Sequence, residues 1–240
     1  MGIWSARSTV FGFAVALSSG GTEASAEHCS LALVLAMDAS KSMSTADFDL
    51  AFQGTAAALR SEEIQATILA QAPPVALIAF EWGDRKHQKI VHDWSVLRSR
   101  EDIEGFAESL ERHQRGGTGQ KTGLGSALAF SFDLLESGPD CARKVIDLSS
   151  DGYSSDGMTP AEFYAGNPSA DVTVNALVIG GETNSYIWRY FNSEVLRGPG
   201  AFGLAIINFQ DYPRAIKEKL LREFSPPRFS GEPILPVSVN

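Results

Sequence analysis

Five residues of the sequence carry oxygen atoms that could bind a hard metal ion, and they fall in three segments far apart along the chain. Two segments directly follow apolar runs, and the third is a glycine-rich stretch, residues 116–122, that leads into a helical pattern. Carboxylate and hydroxyl groups suit Mg²⁺, Mn²⁺ or Ca²⁺, and none of the three segments offers a thiolate or an imidazole for zinc or copper. The five candidate ligands are Asp38, Ser40, Ser42, Thr122 and Asp151.

The strands and helices between these segments decide whether the five residues can meet. The continuous apolar run at residues 30–37 predicts a strand buried on both faces. Further strands are predicted at residues 75–82, 144–149, 172–179 and 202–207. A shorter alternating run at 89–94 predicts a strand antiparallel to the second one. Helical patterns cover residues 45–60, 62–71, a segment capped by Ser99, and 124–135, 186–195 and 212–224. The sequence therefore predicts an α/β domain: a doubly wound, mostly parallel sheet flanked by helices, with one short antiparallel edge strand.

In such sheets, ligands bind beyond the carboxyl ends of the strands, close to the point where the strand order reverses. Asp38 and Asp151 each follow a predicted strand, and Thr122 precedes a predicted helix, so we expect all three at that edge. An aspartate in such a position can also serve only as a turn or helix cap. The combination of both aspartates with the serines and the threonine favours a shared site.

The first segment reads Asp38-Ala39-Ser40-Lys41-Ser42. Together with a threonine that opens a later helix and Asp151-Gly152 at the end of a further strand, it resembles the metal-ion-dependent adhesion site (MIDAS) of von Willebrand factor A (vWA) domains. The similarity covers roughly residues 29–224. Phrases such as LALVLAMDASKSM, TGLGSALAF and KVIDLSSDG resemble a bacterial family of exported, stand-alone vWA-like domains without an assigned function.

The resemblance implies a role for each candidate ligand. The two serine hydroxyls would bind the metal, Asp38 would act mostly through water, and Asp151 would hold a bound water or balance the charge. In the vWA family the threonine lies six residues before a core aliphatic residue, which favours Thr122, ahead of Leu128, over the alternative Thr118. Lys41 departs from the small residue that is common at its position in the family.

The resemblance also implies binding rather than catalysis. Neutral hydroxyl ligands leave the cation electron-poor, so that a carboxylate from a partner can fill the open position. We therefore expect an exported, metal-dependent binding or adhesion module that captures a protein or peptide carboxylate through Mg²⁺, or Mn²⁺ or Ca²⁺, and has no catalytic residues. Two alternatives stay open: a metal-assisted hydrolase that uses the same cation, and a vWA scaffold without a working metal site. The hydrolase would need a general base or nucleophile, which the three loops lack.

Composition narrows the classes of partner. The 240 residues carry a net charge of −9, which disfavours nucleic acids and anionic lipid surfaces as partners. A hydrophobic content of 44% excludes wholesale disorder. We expect the four histidines (His28, His87, His92 and His113) to be solvated rather than metal ligands, while Glu81 at the end of a predicted strand stays a candidate for the same rim. The cationic run 217–222 suits the end of a helix and needs no partner.

The amino terminus predicts export. Residues 1–26 combine an early arginine, a short apolar stretch and Ala24-Ser25-Ala26, which is typical of a cleaved signal peptide. The apolar stretch is too short to cross a bilayer, which needs about 20 residues, and no later window is long enough. We expect a periplasmic or secreted vWA-like domain at 27–224 and, at 225–240, a tail with four prolines and no regular structure.

Export also changes the interpretation of the two cysteines. Cys29 and Cys141 each precede a predicted strand, so both lie at the same end of the sheet if those strands are parallel neighbours. An oxidising compartment favours a disulfide between them, and two free buried thiols are the alternative.

Overall fold

The computed structural model describes residue 1 and residues 29–117, 121–168 and 171–225. The strands in this part are β1 (Cys29–Asp38), β2 (Val75–Trp82), β3 (Gln88–Leu97), β4 (Cys141–Ser150), β5 (Val172–Ile179) and β6 (Gly203–Ile206). The α-helices are α1 (Thr45–Arg60), α2 (Glu62–Leu69), α3 (Arg100–Arg112), α4 (Leu124–Ser137), α5 (Pro160–Gly166), α6 (Ser185–Tyr190) and α7 (Tyr212–Phe224). The predicted signal peptide, Thr118 and residues 226–240 of the predicted tail lie outside the described residues.

These strands form one sheet in the order β3-β2-β1-β4-β5-β6. All neighbours are parallel except β2 and β3, which confirms the mostly parallel sheet with an antiparallel edge. That edge strand is longer than predicted, because it pairs with β2 along its whole length. Strand β1 pairs with β2 on one side and with β4 on the other, so the strand order reverses there. The carboxyl ends of β1 and β4 therefore flank the place where such sheets bind ligands.

Helices cover both faces of the sheet because the strand side chains alternate between two apolar layers. Odd-numbered residues of β1, such as Leu33 and Leu35, pack with residues of α1, α2, α3 and α7. Even-numbered residues, such as Val34, pack with residues of α4, α5 and α6. This doubly wound arrangement explains why β1 and β2 are apolar along nearly their whole length.

Local sequence signals set several helix ends. Ser44 and Ser99 accept hydrogen bonds from the backbone of Asp47 and Asp102, and both form complete capping boxes. The short helix α5 is absent from the sequence prediction, although Thr159 caps it in the same way. The predicted helix 186–195 is interrupted, since α6 ends at Tyr190 and continues as a π-helical turn, Phe191–Val195. Such turns interrupt regular helical spacing.

The predicted disulfide between Cys29 and Cys141 is confirmed. The two cysteines lie opposite each other in the β1–β4 register and are joined by a disulfide, with Cα atoms 4.4 Å apart.

The prediction that the cationic run 217–222 needs no partner is wrong, because Lys219 is fully buried between Asp147 and Glu223. No helix in the described part of the chain is long and apolar enough to cross a membrane.

Candidate metal centre

The first loop of the candidate site begins at the end of the central strand. Asp38 is the last residue of β1 and is 3% exposed. Its Oδ1 accepts a hydrogen bond from the Ser40 amide at 2.7 Å, a turn that aspartate side chains form readily. The Ala39 amide donates to the Trp82 carbonyl of the neighbouring strand. Hydrogen bonds therefore fix the backbone of the loop where it leaves the sheet. Ser40, in this loop, is buried.

Hydroxyl and carboxylate oxygens from three loops meet above this strand end. The Oγ atoms of Ser40 and Ser42 are 3.0 Å apart, and Ser42 donates to Asp151 Oδ1 at 2.6 Å. Thr122 Oγ1 lies 3.5 Å from Ser40 Oγ. The side chains of the five sequence-predicted ligands thus lie in one hydrogen-bonded group, in which Asp38 takes part through the Ser40 amide.

Thr122 is held in this group by the loop after β4. Its amide donates to Ser155 Oγ at 3.0 Å, and its carbonyl accepts from the Ser155 and Asp156 amides. A Cβ atom on Gly152 would lie 3.2 Å from Thr122 Oγ1, so the glycine lets the two loops approach closely. Because Thr118 lies outside the described residues, the preference for Thr122 stays a prediction.

Ser150 is a member of this group that the sequence analysis missed. It is the last residue of β4, is fully buried, and donates from Oγ to Asp38 Oδ2 at 2.5 Å. The carboxylate of Asp38 is therefore hydrogen-bonded at both oxygens, by the Ser40 amide and by Ser150. The position of Ser150, directly before Asp151 at a strand end, is the signal that could have identified it.

Burial makes negative charge at this group costly. The pKa of Asp38 is raised to about 6, mainly by removal from water and also by the charge of Asp151, while the hydrogen bond from Ser150 acts in the opposite direction. Burial also raises the pKa of Asp151, although the hydrogen bond from Ser42 and the charge of Arg115 act in the opposite direction. A bound divalent cation would compensate this charge, and the donors around it are all hard oxygens. Among the described residues, no group of three or more His, Cys, Asp or Glu side chains is arranged to hold a metal ion, so a cation at this rim would depend on the serine and threonine hydroxyls beside Asp38 and Asp151.

Glu81, near the end of β2, is the centre of a second polar group. Two histidines that were predicted to be solvated belong to this group. The buried carboxylate accepts from His87 Nε2 at 2.8 Å, from His113 Nε2 at 2.7 Å and from the Gly116 amide at 2.8 Å. Burial alone would raise the pKa of Glu81, but these hydrogen bonds outweigh burial and keep it below its usual value. The expectation that the histidines are solvated is wrong for His113, whose side chain is 9% exposed, and for His87, which is 20% exposed.

Family comparison adds to this geometry. The profile of a family described as "Protein of unknown function (DUF1194)" matches residues 28–228. The chain belongs to the DUF1194 family. A comparison with curated proteins gives no match for this DUF1194 chain.

Solved structures share the fold of the DUF1194 chain at low sequence identity. A structure of proximal thread matrix protein 1 from the mussel byssus, with a zinc-occupied MIDAS motif, is 18% identical with a TM-score of 0.56 over 82% of this chain and 50% of that one. The von Willebrand factor type A protein from Catenulispora acidiphila is 16% identical (TM-score 0.57, 82% and 43%). The pilus adhesin SpaC from Lactobacillus rhamnosus GG is 11% identical (0.58, 82% and 31%). The DUF1194 chain thus has the vWA fold and spans half or less of each of these proteins.

Proposed function

We propose that this chain is a divalent-cation-dependent binding module. Asp38, Ser40, Ser42, Thr122 and Asp151 would hold the cation directly or through water, and a carboxylate of a protein or peptide partner would complete its coordination. The chain's contribution is to fix these oxygens and leave one position open. The bound cation would supply the positive charge that attracts the partner.

One observation carries the proposal. Ser42, on the loop after β1, donates to Asp151, on the loop after β4, at 2.6 Å, 109 residues away in the chain. The fold therefore brings these oxygens together from distant parts of the chain, and a bound cation would replace hydrogen bonds among Ser40, Ser42 and Thr122 by metal contacts. Preorganisation of this kind lowers the entropic cost of binding.

The donor set supports a hard cation. Two carboxylates and three hydroxyls match the oxygen preference of Mg²⁺, with Mn²⁺ and Ca²⁺ as alternatives. The mussel byssus protein of the same fold was solved with zinc in its MIDAS motif, so the motif of that protein accepts a divalent ion. With few charged ligands we expect weak affinity, in the range of about 10⁻⁶ to 10⁻³ M.

Binding is a better account of this site than hydrolysis. A metal-assisted hydrolase needs a general base beside the cation. The carboxylate of Glu81 instead accepts hydrogen bonds from the Nε2 atoms of His87 and His113. An exported module is also consistent with the Cys29–Cys141 disulfide, because disulfides persist in oxidising compartments.

Calorimetric titration with Mg²⁺ and Mn²⁺ tests the metal site. We expect saturable binding to the wild type and none to Asp38→Ala. The matched control is Asp140→Asn, which removes an exposed carboxylate from the loop that leads into the amino end of β4 and should leave the heats unchanged. Equal binding by the wild type and Asp38→Ala would contradict the proposal.

A second experiment tests capture of a carboxylate. A short peptide with one central glutamate, and its glutamine counterpart, are titrated into the Mn²⁺-loaded protein while the relaxation of water protons at the Mn²⁺ is measured. The glutamate peptide should displace a coordinated water and lower the relaxation rate, and the glutamine peptide should not. An identical response to both peptides would leave a metal-binding protein without the proposed recognition of carboxylates.

A further inference from the structure

We propose that Arg115 is a positioning residue that holds the first metal loop in the shape required to bind the cation. The inference rests on the proposed function, because it concerns the affinity of that metal site. Arg115 lies in the segment between α3 and the glycine-rich stretch, more than 70 residues after the loop that it contacts.

The guanidinium of Arg115 contacts three backbone carbonyls of the first loop. Nε and Nη2 donate to the Ala39 carbonyl at 3.0 and 2.6 Å, Nη2 also donates to the Ser40 carbonyl, and Nη1 donates to the Met43 carbonyl at 3.0 Å. Its cationic carbon lies 5.6 Å from the centre of the Phe48 ring on α1. One planar group therefore joins the residues on both sides of Lys41 and Ser42.

The segment that carries Arg115 is itself anchored on both sides. His113 donates to Glu81 Oε2, and the Gly116 amide donates to Glu81 Oε1. Glu81 is fully buried at the end of β2, which is the neighbour of β1 in the sheet. The position of Arg115 is therefore fixed relative to the sheet.

Gly116 shows how closely this segment approaches the sheet. A Cβ atom on Gly116 would lie 2.5 Å from Glu81 Oε1 and 2.7 Å from Lys89 Cδ. Both distances are far below normal contact, so a larger residue would push the segment away from Glu81. The glycine is needed for the hydrogen bond between its amide and the buried carboxylate.

Arg115 acts on the loop from the side opposite to Asp38. Asp38 accepts from the amide of Ser40, and Arg115 donates to the carbonyls of Ala39 and Ser40, so the two peptide groups that flank Ser40 are held by both residues. Arginine has only donors and therefore cannot ligate a cation itself. Mg²⁺ and Mn²⁺ require oxygens in near-octahedral positions, and loss of groups that orient ligands usually weakens metal binding 10- to 100-fold, by rough analogy with other sites.

The test compares Mn²⁺ binding to the wild type, Arg115→Ala and Arg115→Lys by calorimetry and by the electron paramagnetic resonance spectrum of bound Mn²⁺. Measurements are made at a temperature at which circular dichroism shows every variant folded. The matched control is Arg112→Ala, which removes an equal charge from a side chain that is 75% exposed three residues earlier. We expect affinity to fall at least about tenfold in Arg115→Ala and to stay at the wild-type value in Arg112→Ala.

Two further measurements separate positioning from general support of the fold. Lysine keeps the charge but cannot reach three carbonyls at once, so Arg115→Lys should recover little of the lost affinity. Ethylguanidinium at low millimolar concentration should partly restore Mn²⁺ affinity in Arg115→Ala and leave the wild type unaffected. If Arg115→Ala does not fold, the Mn²⁺ affinity of Arg115→Lys alone tests the inference, and we expect it to be about tenfold lower than that of the wild type.

Each contrary result has a definite meaning. Wild-type affinity in Arg115→Lys, or in a folded Arg115→Ala, overturns the inference and leaves the proposed function intact. A lowered melting temperature with unchanged Mn²⁺ affinity also overturns it, because Arg115 would then support only the fold. Absence of Mn²⁺ binding by the wild type overturns the proposed function and the inference with it.

Discussion

Two pairs of carboxyl groups in the described part of the chain differ in what compensates their charge. At the rim of the sheet, Asp38 and Asp151 are surrounded by serine and threonine hydroxyls. In the layer between the sheet and α7, Asp147 and Glu223 contact the ammonium group of Lys219 at 2.6 and 2.7 Å. Asp38, Asp147 and Glu223 are buried and Asp151 is partly buried, but of these two pairs only the second has a protein cation directly between its members.

The inner group, formed by Asp147, Lys219 and Glu223, is a closed structural unit. All three side chains are at most 2% exposed, and Asn175 donates to Glu223 Oε1 at 2.9 Å. Because Asp147 lies on β4, Asn175 on β5 and the other two residues on α7, the group attaches this helix to the sheet. Lys219 balances the charge of Asp147, and Glu223, whose pKa is raised to about 8, is protonated at neutral pH, so the group is balanced without an external ion.

Each carboxylate of the rim group accepts a hydrogen bond from a hydroxyl, and the charge of Arg115 offsets that of Asp151 only in part, so the group is suited to an external cation. Hydroxyl groups can donate to the carboxylates of Asp38 and Asp151, but they do not neutralise them. The raised pKa of Asp38 reflects this incomplete compensation. The comparison suggests a general criterion: a buried acidic pair with its own lysine holds a fold together, whereas one with only hydroxyls is available for metal binding.

The largest expected effect comes from removal of the internal cation. Lys219→Met leaves Asp147 and Glu223 buried without a positive charge, and we expect the free energy of unfolding at pH 7.5 to fall by about 3–5 kcal/mol. Urea unfolding followed by circular dichroism at 15 °C measures this loss. The control Lys217→Met breaks a partly exposed ion pair with Glu63 and should cost less than about 1 kcal/mol. Equal losses in both variants would show that Lys219, although buried between two carboxyl groups, contributes no more to stability than the partly exposed Lys217.

The disulfide gives the next largest effect, at the opposite end of the strands from the rim. Cys29 and Cys141 close a loop of 112 residues, and replacement of both by alanine should lower the free energy of unfolding by about 2–4 kcal/mol. The Mn²⁺ affinity of the folded variant should be unchanged, because Asp38 and Asp151 lie at the other ends of β1 and β4. A large loss of affinity in the folded variant would show that the metal loops depend on the distant strand ends.

A smaller effect is expected from pH in the metal-free protein. Burial and the neighbouring charge of Asp147 raise the pKa of Glu223 to about 8, although Lys219 lowers it. The folded protein therefore holds a proton that the unfolded chain has lost above about pH 4.5, and stability falls as the pH rises through 8. Between pH 6.5 and 8 we expect a loss of about 1–2 kcal/mol in urea unfolding.

The matched variant for the pH experiment is Glu223→Gln, which keeps the shape of the side chain and cannot ionise. Its stability should be nearly flat over the same interval, because Asp147 then forms a neutral pair with Lys219. Arg143, which also interacts with Glu223, stays charged throughout this range. If the stability of Glu223→Gln fell with pH as much as that of the wild type, groups other than Glu223 would be responsible for the loss.

The smallest expected effect is an increase in stability, and it concerns Asp38 at the rim of the sheet. Asp38→Asn removes a buried charge that the protein compensates poorly, so the metal-free variant should be about 1 kcal/mol more stable than the wild type in urea at pH 7.5. Saturating Mg²⁺ should raise the melting temperature of the wild type and leave that of the variant unchanged. Destabilisation as large as that of Lys219→Met would mean that Asp38 is structural.

Much of this architecture follows from local features of the sequence. The apolar run at 30–37 predicts a strand that is buried on both faces, because only a chain covered by helices on two sides can hide so many apolar residues. Ser99 with Asp102 sets the start of α3 through short-range hydrogen bonds. Cys29 and Cys141 could be paired because both directly precede strand patterns. These features depend on residues that are close in sequence or on strand direction alone.

Other features depend on which polar side chains the fold buries together. The sequence showed Arg115 only at the start of a glycine-rich stretch, Lys219 only in a cationic helix, and His113 only in a polar segment. Their partners are 32 to 76 residues away, at Glu81, at Asp147 and on the loop after β1. Periodicity reports whether a side chain faces the core, but it carries no information about which distant group meets it there.

The sequence by itself determined the types of oxygen donor, their attachment to the ends of strands and the order of the elements. Only the tertiary structure decided that Ser150 supports Asp38, that Glu81 anchors the segment of Arg115, and that Lys219 lies between the inner carboxyl groups. The physical reason is the same in each case. A buried charge or hydrogen-bonding group is stable only beside a specific partner, and that proximity is created by the packing of the whole sheet and its helices.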